Sequence, residues 1–173
     1  QSAETTIIGI TWGISKQGLL KPVLHIDPVH LDGVTVSNVT GNNARYILKT
    51  GLGVGARVVV KRSGMVIPKI HDVLETVEFV MPNIPDIEWN ENGVELRTIY
   101  ETDEQRFKQA VSYFEILEVD AVREGVVKQL WDAGFNSIPS ILNMTLSDYQ
   151  NLPGFGDRKS QKVFENIQKS TKD

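Results

Sequence analysis

The sequence predicts an α+β protein of two domains, a small five-stranded β-barrel followed by an all-helical domain. Three observations lead there. β-Branched and alternating apolar segments dominate up to about residue 78, helical apolar spacing dominates beyond Asp103, and the stretch between them keeps neither period. With 173 residues, 40% of them hydrophobic, the chain can build one ordinary core or two small ones.

The barrel elements follow in order. Thr5 to Trp12 has β-branched character, and after Ser15-Lys16-Gln17-Gly18 the segment Leu19 to Asp27 alternates apolar and polar positions. Asp32-Gly33 turns the chain into Val34-Thr35-Val36-Ser37. The period then changes: Ala44, Ile47 and Leu48 share one helical face, Asn42 or Asn43 can cap its start, and Gly51 can end it. Next comes Arg57-Val58-Val59-Val60-Lys61-Arg62-Ser63-Gly64-Met65-Val66-Ile67-Pro68-Lys69, read as a basic hairpin of two apolar β segments around a Ser-Gly turn, with an apolar tail from Ile70 to Val80. Three strands, a short helix and two strands is the order of an OB-fold barrel; other small barrels fit it too.

Residues 81 to 102 hold Pro82, Pro85, Asn90, Asn92 and Gly93, the composition of a linker or small hairpin. Helical spacing follows in Phe107, Ala110, Val111 and Phe114, and again in Val126, Val127, Leu130 and Trp131. Leu146 to Leu152 makes a short helix that runs through Pro153-Gly154-Phe155-Gly156 into a helix from Asp157 to about Ser170. The predicted domains are 1–78, an OB-fold; 79–105, a linker; and 106–173, helical.

Composition excludes several function classes. No run of about 18 apolar residues exists to make a membrane-spanning helix, and no secretory leader is visible. The absence of cysteine excludes disulfides and thiolate zinc sites and fits a cytoplasmic setting. His25, His30 and His71 lack the close pairing of a metal clip and read as ordinary side chains. The net charge of −4 conceals an uneven distribution: Lys and Arg exceed Asp and Glu by 2 over residues 1–78 and by 1 over 121–173, whereas acids exceed bases by 7 over 79–120. Local charge therefore decides where a polyanion binds.

The residues that carry chemistry are cations and glycines at turns. Leu152-Pro153-Gly154-Phe155-Gly156, set between two helices and followed by Arg158, Lys159 and Lys162, resembles the helix-hairpin-helix motif. Its glycines let backbone approach a phosphate, the N–H groups opening the next helix point at the anion, and Phe155 pins the turn inward. A tight turn with a solvated basic face is the plain alternative. An earlier copy at Val119-Asp120-Ala121-Val122-Arg123-Glu124-Gly125 has alanine and arginine where glycines belong, and reads as packing element or second clamp. In the barrel, Lys16, Thr40-Gly41-Asn42-Asn43, Lys61 and Arg62 lie on rim loops able to meet the same DNA. Low aromatic content disfavours single-strand binding by stacking.

Three segments then suggest a family. Trp12 to Val23 with Pro28-Val29, Gly33 to Thr40, and Val59 to Lys69 resemble the OB domain of NAD-dependent DNA ligases in order and spacing, and Glu115 to Lys169 resembles the start of that family's helix-hairpin-helix domain. The resemblance covers nearly the whole chain. It implies that the barrel grips nicked duplex opposite an adenylating domain, with Lys16, Gln17, Arg62, Val66 and Ile67 at the functional positions. Val66 and Ile67 either face the minor groove or the adenylating domain, or are buried in the barrel.

The chain departs from the family at several points. Lys16 and Gln17 stand where arginine and threonine are usual, Met65 where an acid is usual, and Asn42 where histidine is usual. Lys16 keeps the charge without the bidentate fork. The family's four-cysteine zinc module is replaced by a cysteine-free segment containing Ile84-Pro85-Asp86-Ile87, so zinc is not expected. No Lys-x-Asp-Gly motif is present, so no catalytic residue is assigned and the chain alone is expected to bind no cofactor. NAD and magnesium would be used by an adenylating domain or subunit.

The resemblance thus implies the DNA-clamping portion of a replication or repair ligase, of the kind a bacterium, phage or virus encodes, working in the cytoplasm of the cell or infected host. Gln1 in place of Met suggests an excised fragment or processed chain. Two other readings remain. An OB domain with paired helix-hairpin-helix units also resembles the Holliday-junction protein RuvA, which would mean junction binding without catalysis, and an acidic linker would suit a protein-interaction module.

Overall fold

Strand β1 (Ser2–Ile14) is long enough to serve two partners and organises the first unit. Its first half pairs antiparallel with β4 (Arg57–Lys61), from Ser2↔Lys61 to Thr6↔Arg57. Its second half pairs with β2 (Leu20–Leu31), from Ile7↔Ile26 to Ile14↔Leu20, with a register shift between Ile7 and Gly9. β3 (Val34–Thr40) pairs with β2, and β5 (Lys69–Glu75) with β4. The result is a five-stranded antiparallel sheet in the order β3-β2-β1-β4-β5, whose outer strands β3 and β5 approach each other. The computed structural model describes residues 1–64 and 66–172, in two compact units divided between Tyr100 and Glu101.

Alternation builds the barrel core. Along β2, Leu20, Leu24 and Ile26 are buried while Lys21, Val23 and Asp27 are exposed, as a period of two requires, and the irregularity between His25 and Val29 shifts the phase so that Leu31 is buried as well. Asp32 and Gly33 both have positive φ, 49° and 80°, the geometry of a type I′ hairpin turn between Leu31 and Val34. Helix α1 (Ala44–Thr50) closes one side. Asn43, not Asn42, caps it, its side chain accepting from the Tyr46 N–H, and Gly51 ends it at φ 70°. Ala44 and Ile47 face the core; Leu48, expected beside them, is exposed because so short a helix buries one narrow stripe.

The hairpin expectation needs correction at its second segment. Val66 and Ile67 are not strand residues: after Lys61 the chain makes a turn in which the Val66 N–H donates to the Ser63 carbonyl, and pairing resumes only at Lys69. Pro68 has no N–H to give a ladder, and Gly64 holds φ 59°. Met65, where the resemblance expected an acid, lies outside the described residues, as does Asp173.

Within residues 79–100 a small antiparallel hairpin, β6 (Ile87–Trp89) and β7 (Leu96–Thr98), packs on the barrel. Leu96 is fully buried with Ile14, Leu20 and Ala44, flanked by Phe79, Ile84, Ile87 and Trp89. The Asn90 side chain accepts the Val94 and Glu95 N–H groups and shapes the turn.

The second unit comprises α2 (Asp103–Ile116), α3 (Glu124–Asp132), α4 (Ile138–Leu142), α5 (Leu146–Gln150) and α6 (Asp157–Ser170). Phe114, Val127, Leu130, Ile141, Tyr149 and Val163 form its core. Trp131 is a core residue whose indole N–H donates to the Asp103 carboxylate at 3.1 Å. Burial, helped by the neighbouring Asp148 carboxylate, pushes the Tyr149 phenol up. The short α4 has no apolar period to announce it; a Ser137–Ser140 capping box and Pro139 in its first turn create it.

Gly51 generates a test. An added Cβ there would meet the Thr76 side chain at 2.5 Å with φ at 70°, so Gly51→Ala is expected to lower unfolding free energy by about 2–4 kcal/mol in a urea titration.

Candidate nucleic-acid interface

The predicted barrel residues gather at two ends of the β2–β3 pair. At one end, Lys16 and Gln17 are the exposed tip of a tight loop. The Gly18 N–H donates to the Ser15 carbonyl, the Ser15 N–H to the Leu19 carbonyl, and the Leu19 N–H to Ser15 Oγ. The Thr40–Asn43 turn lies at this same end, because the Gly41 N–H donates to the Pro22 carbonyl. Thr40 Oγ1 accepts the Asn42 N–H at 3.0 Å, and Asn43 is the cap of α1, so both side chains also shape the turn.

At the other end lie Lys61, Arg62, Val66 and Ile67. Arg62 Nε donates to the Val66 carbonyl at 3.1 Å, and Nη1 to the Asp32 carbonyl at 3.3 Å. The guanidinium therefore ties the β4–β5 loop to the β2–β3 turn, with donors left over. Val66 and Ile67 project outward, 56% and 73% exposed, beside Arg62 and Pro68 in an open groove floored by Thr35 to Asn38 of β3. This resolves the alternatives left by the sequence: neither side chain is buried in the barrel. β2 spans 12 residues, so the two ends are at most ~36 Å apart, less through the irregularity between His25 and Val29.

Between them the outer sheet face carries hydrogen-bonded polar side chains, among them His25, which the sequence marks only as an ordinary histidine. His25 is hydrogen-bonded at both ring nitrogens, Nε2 with Thr11 Oγ1 and Nδ1 with Asn38 Oδ1. Cross-strand register brings the three together: His25 lies opposite Asn38 and Gly9, and Thr11 opposite Val23. The alternation of β2 was the available signal, since it puts His25 on the face opposite Leu24.

In the helical unit the two glycine-turn copies adopt one backbone shape. Gly154 has φ 78° before the buried Phe155 and α6; Ala121 has φ 68° before the buried Val122 and α3. Gly156 and Arg123, the residues that open α6 and α3, make no side-chain cap, whereas α1, α2, α4 and α5 are capped by Asn43, Thr102, Ser137 and Thr145. A Cβ on Gly156 would touch nothing within 4 Å. The cations divide: Lys159 Nζ sits 4.3 Å over the Phe155 ring and donates to Gln129 Oε1, Lys162 pairs with Asp120 at 3.9 Å, and Arg158 has no side-chain partner among the described residues.

The model of the NAD-dependent DNA ligase OB-fold domain matches residues 4–78. Residues 4–78 therefore belong to the OB-fold domain of NAD-dependent DNA ligases. It is 34% identical over 171 residues to a DNA ligase of Acanthamoeba polyphaga mimivirus, covering 96% of this chain and 27% of that protein. It is also 34% identical to the putative DNA ligase 205R of Invertebrate iridescent virus 6, over 96% of this chain and 26% of that protein, and to a DNA ligase of Desulfatibacillum aliphaticivorans, over 96% and 27%. The chain thus spans about a quarter of the length of the curated relatives it matches.

The zinc module that the resemblance would bring does not fit these residues. There is no thiol, Ile84 and Ile87 pack against the Leu96 cluster, and no group of three or more His, Cys, Asp or Glu among the described residues could hold a metal ion. No helix among the described residues is long and apolar enough to cross a membrane.

The bridging geometry of Arg62 generates a test. Arg62→Lys keeps a cation, but one ammonium lacks the fork that joins both carbonyls. The expected outcome is stability within about 1 kcal/mol of the parent with several-fold faster hydrogen exchange at the Val66 amide.

Proposed function

We propose that this chain is the DNA-clamping part of an NAD-dependent DNA ligase, holding nicked duplex through backbone contacts while an adenylating domain or subunit, using NAD and magnesium, seals the break. On this reading residues 1–78 are the OB-fold clamp, 79–105 connect, and 106–173 are a helix-hairpin-helix domain; the setting is cytoplasmic. The observation that carries it is the exposed Val66–Ile67 pair beside Arg62 and Lys61. Apolar side chains flanked by cations suit a minor groove, where the apolar pair meets the sugar walls and the cations meet phosphate.

Supporting contacts come from Lys16, Gln17, Thr40, Asn42 and Asn43 at the other end of β2, and from the turn opening α6. There Gly156 leaves open ground over unbonded N–H groups, Gly154 supplies the positive φ, Phe155 anchors the turn, and Arg158, Lys159 and Lys162 add positive charge. All these contacts are to backbone or groove shape, which makes binding independent of sequence. The chain's share of catalysis is positioning: it keeps the two nick ends in line for phosphodiester formation.

Three measurements test the reading. Affinity for nicked duplex should fall steeply and linearly on a log–log plot against salt, and a flat response would rule out a phosphate grip. Mixing the chain with the adenylating domain of a related DNA ligase should raise nick sealing above that domain alone; no increase sinks the proposal. Ile67→Ala is expected to leave the melting temperature unchanged while weakening nicked-duplex binding about tenfold, and equal affinity would remove Ile67 from the interface.

A further inference from the structure

The β6–β7 hairpin touches both loops that carry the barrel's candidate DNA contacts at one end of β2. The Gly18 carbonyl accepts two hydrogen bonds from Thr98, from its N–H at 2.9 Å and from Oγ1 at 3.3 Å. Thr98 is only 6% exposed, one of the few buried polar residues, and Leu19 forms a β-bridge with Arg97. These contacts fasten the base of the loop whose tip is Lys16 and Gln17. At its turn the hairpin reaches the other loop: the Val94 carbonyl accepts the Arg45 N–H at 3.1 Å, within the first turn of the helix that Asn43 caps. Lys21 Nζ meets Glu95 Oε1 at 2.9 Å, pinning the hairpin to β2 between the two. Leu96 anchors the assembly, fully buried with Leu20 beside the first loop and Ala44 beside the second.

We infer that the β6–β7 hairpin is a positioning element that sets the geometry of the Lys16–Gln17 loop and the Thr40–Asn43 turn for DNA, with Thr98 the positioning residue for the first. The inference rests on the DNA-clamping reading and deepens it. Lys16 and Gln17 are turn residues rather than strand residues, and binding costs conformational entropy wherever a loop must be ordered. A loop held at its base loses less order on binding, so the hairpin contributes affinity without touching the ligand.

The test is a double-mutant cycle on the whole chain with a short nicked duplex. Thr98→Val removes the hydroxyl and keeps the backbone bond; it is expected to weaken binding about three- to fivefold, and Thr98→Ser to restore it. In a Lys16→Ala, Gln17→Ala background the same change should cost less than about twofold, because the group it positions is gone. A factor that is equal in both backgrounds, no weakening at all, or failure of serine to rescue would each overturn the inference. Leu96→Ala, expected to cost about tenfold by loosening both loops, is the stronger variant; should it fail to fold, the Thr98 cycle decides alone. If the parent chain binds no nicked duplex, the clamping reading falls and the mechanical claim is settled by hydrogen exchange. Faster exchange of the Gly18 and Leu19 amides in Thr98→Val then sustains it, and unchanged exchange overturns it.

Discussion

Ile7 is the point at which β1 changes partners. Its backbone exchanges hydrogen bonds with Ala56 and Gly55 on one side, at 2.9 and 2.8 Å, while its Cα pairs with Ile26 on the other, and its side chain is fully buried. One strand thereby joins the β4–β5 pair to the β2–β3 pair and curls the sheet until β3 and β5 approach. The register shift between Ile7 and Gly9 makes the bend, and Gly9 lies across from His25, where an added Cβ would already be in contact with the ring. Every rim loop takes its place from that bend.

The curled sheet separates fold from function along its strands. Inward positions of β2 fill the core, while outward positions carry Lys21, His25 and the exposed ends where cations collect. Lys61 and Lys69 face each other across β4 and β5, a like-charge pair that costs stability and concentrates positive potential beside Arg62. The overall charge of −4 is unevenly placed: the acidic surplus falls in residues 79–120, whose β6–β7 hairpin contacts the Lys16 end of β2 and, among the described residues, not the Arg62 end.

The helical unit shows what a glycine is worth. Ala121 and Gly154 hold nearly the same left-handed φ, yet alanine pays about 1 kcal/mol or more to stay there. Val122 and Phe155 each bury a side chain immediately after the turn and offset that cost with apolar contact. The two turns also lean on each other's helices. Lys162 and the Asn166 amide on α6 reach the carboxylate and carbonyl of Asp120, and Gln129 on α3 lies beside Gly154 and Lys159.

The sequence by itself determined the α+β class, the first four barrel strands, α1 with its Gly51 stop, and α6 from Asp157 to Ser170, because these rest on local periodicity and on turn residues whose φ is dictated by covalent geometry. It also marked the cations and glycines of the candidate interface. It did not determine that Val66 and Ile67 leave the strand and stand exposed, since apolar composition looks alike whether a segment is paired or looped out; Pro68 and the Arg62 bridge decide that, and the bridge spans residues far apart in the chain. Likewise residues 81–102 read as a linker or small hairpin, with no period to choose between the two. The hairpin is ordered only because Leu96 finds Leu20 and Ala44 across long sequence separations, and only the tertiary structure brings Thr98 to Gly18.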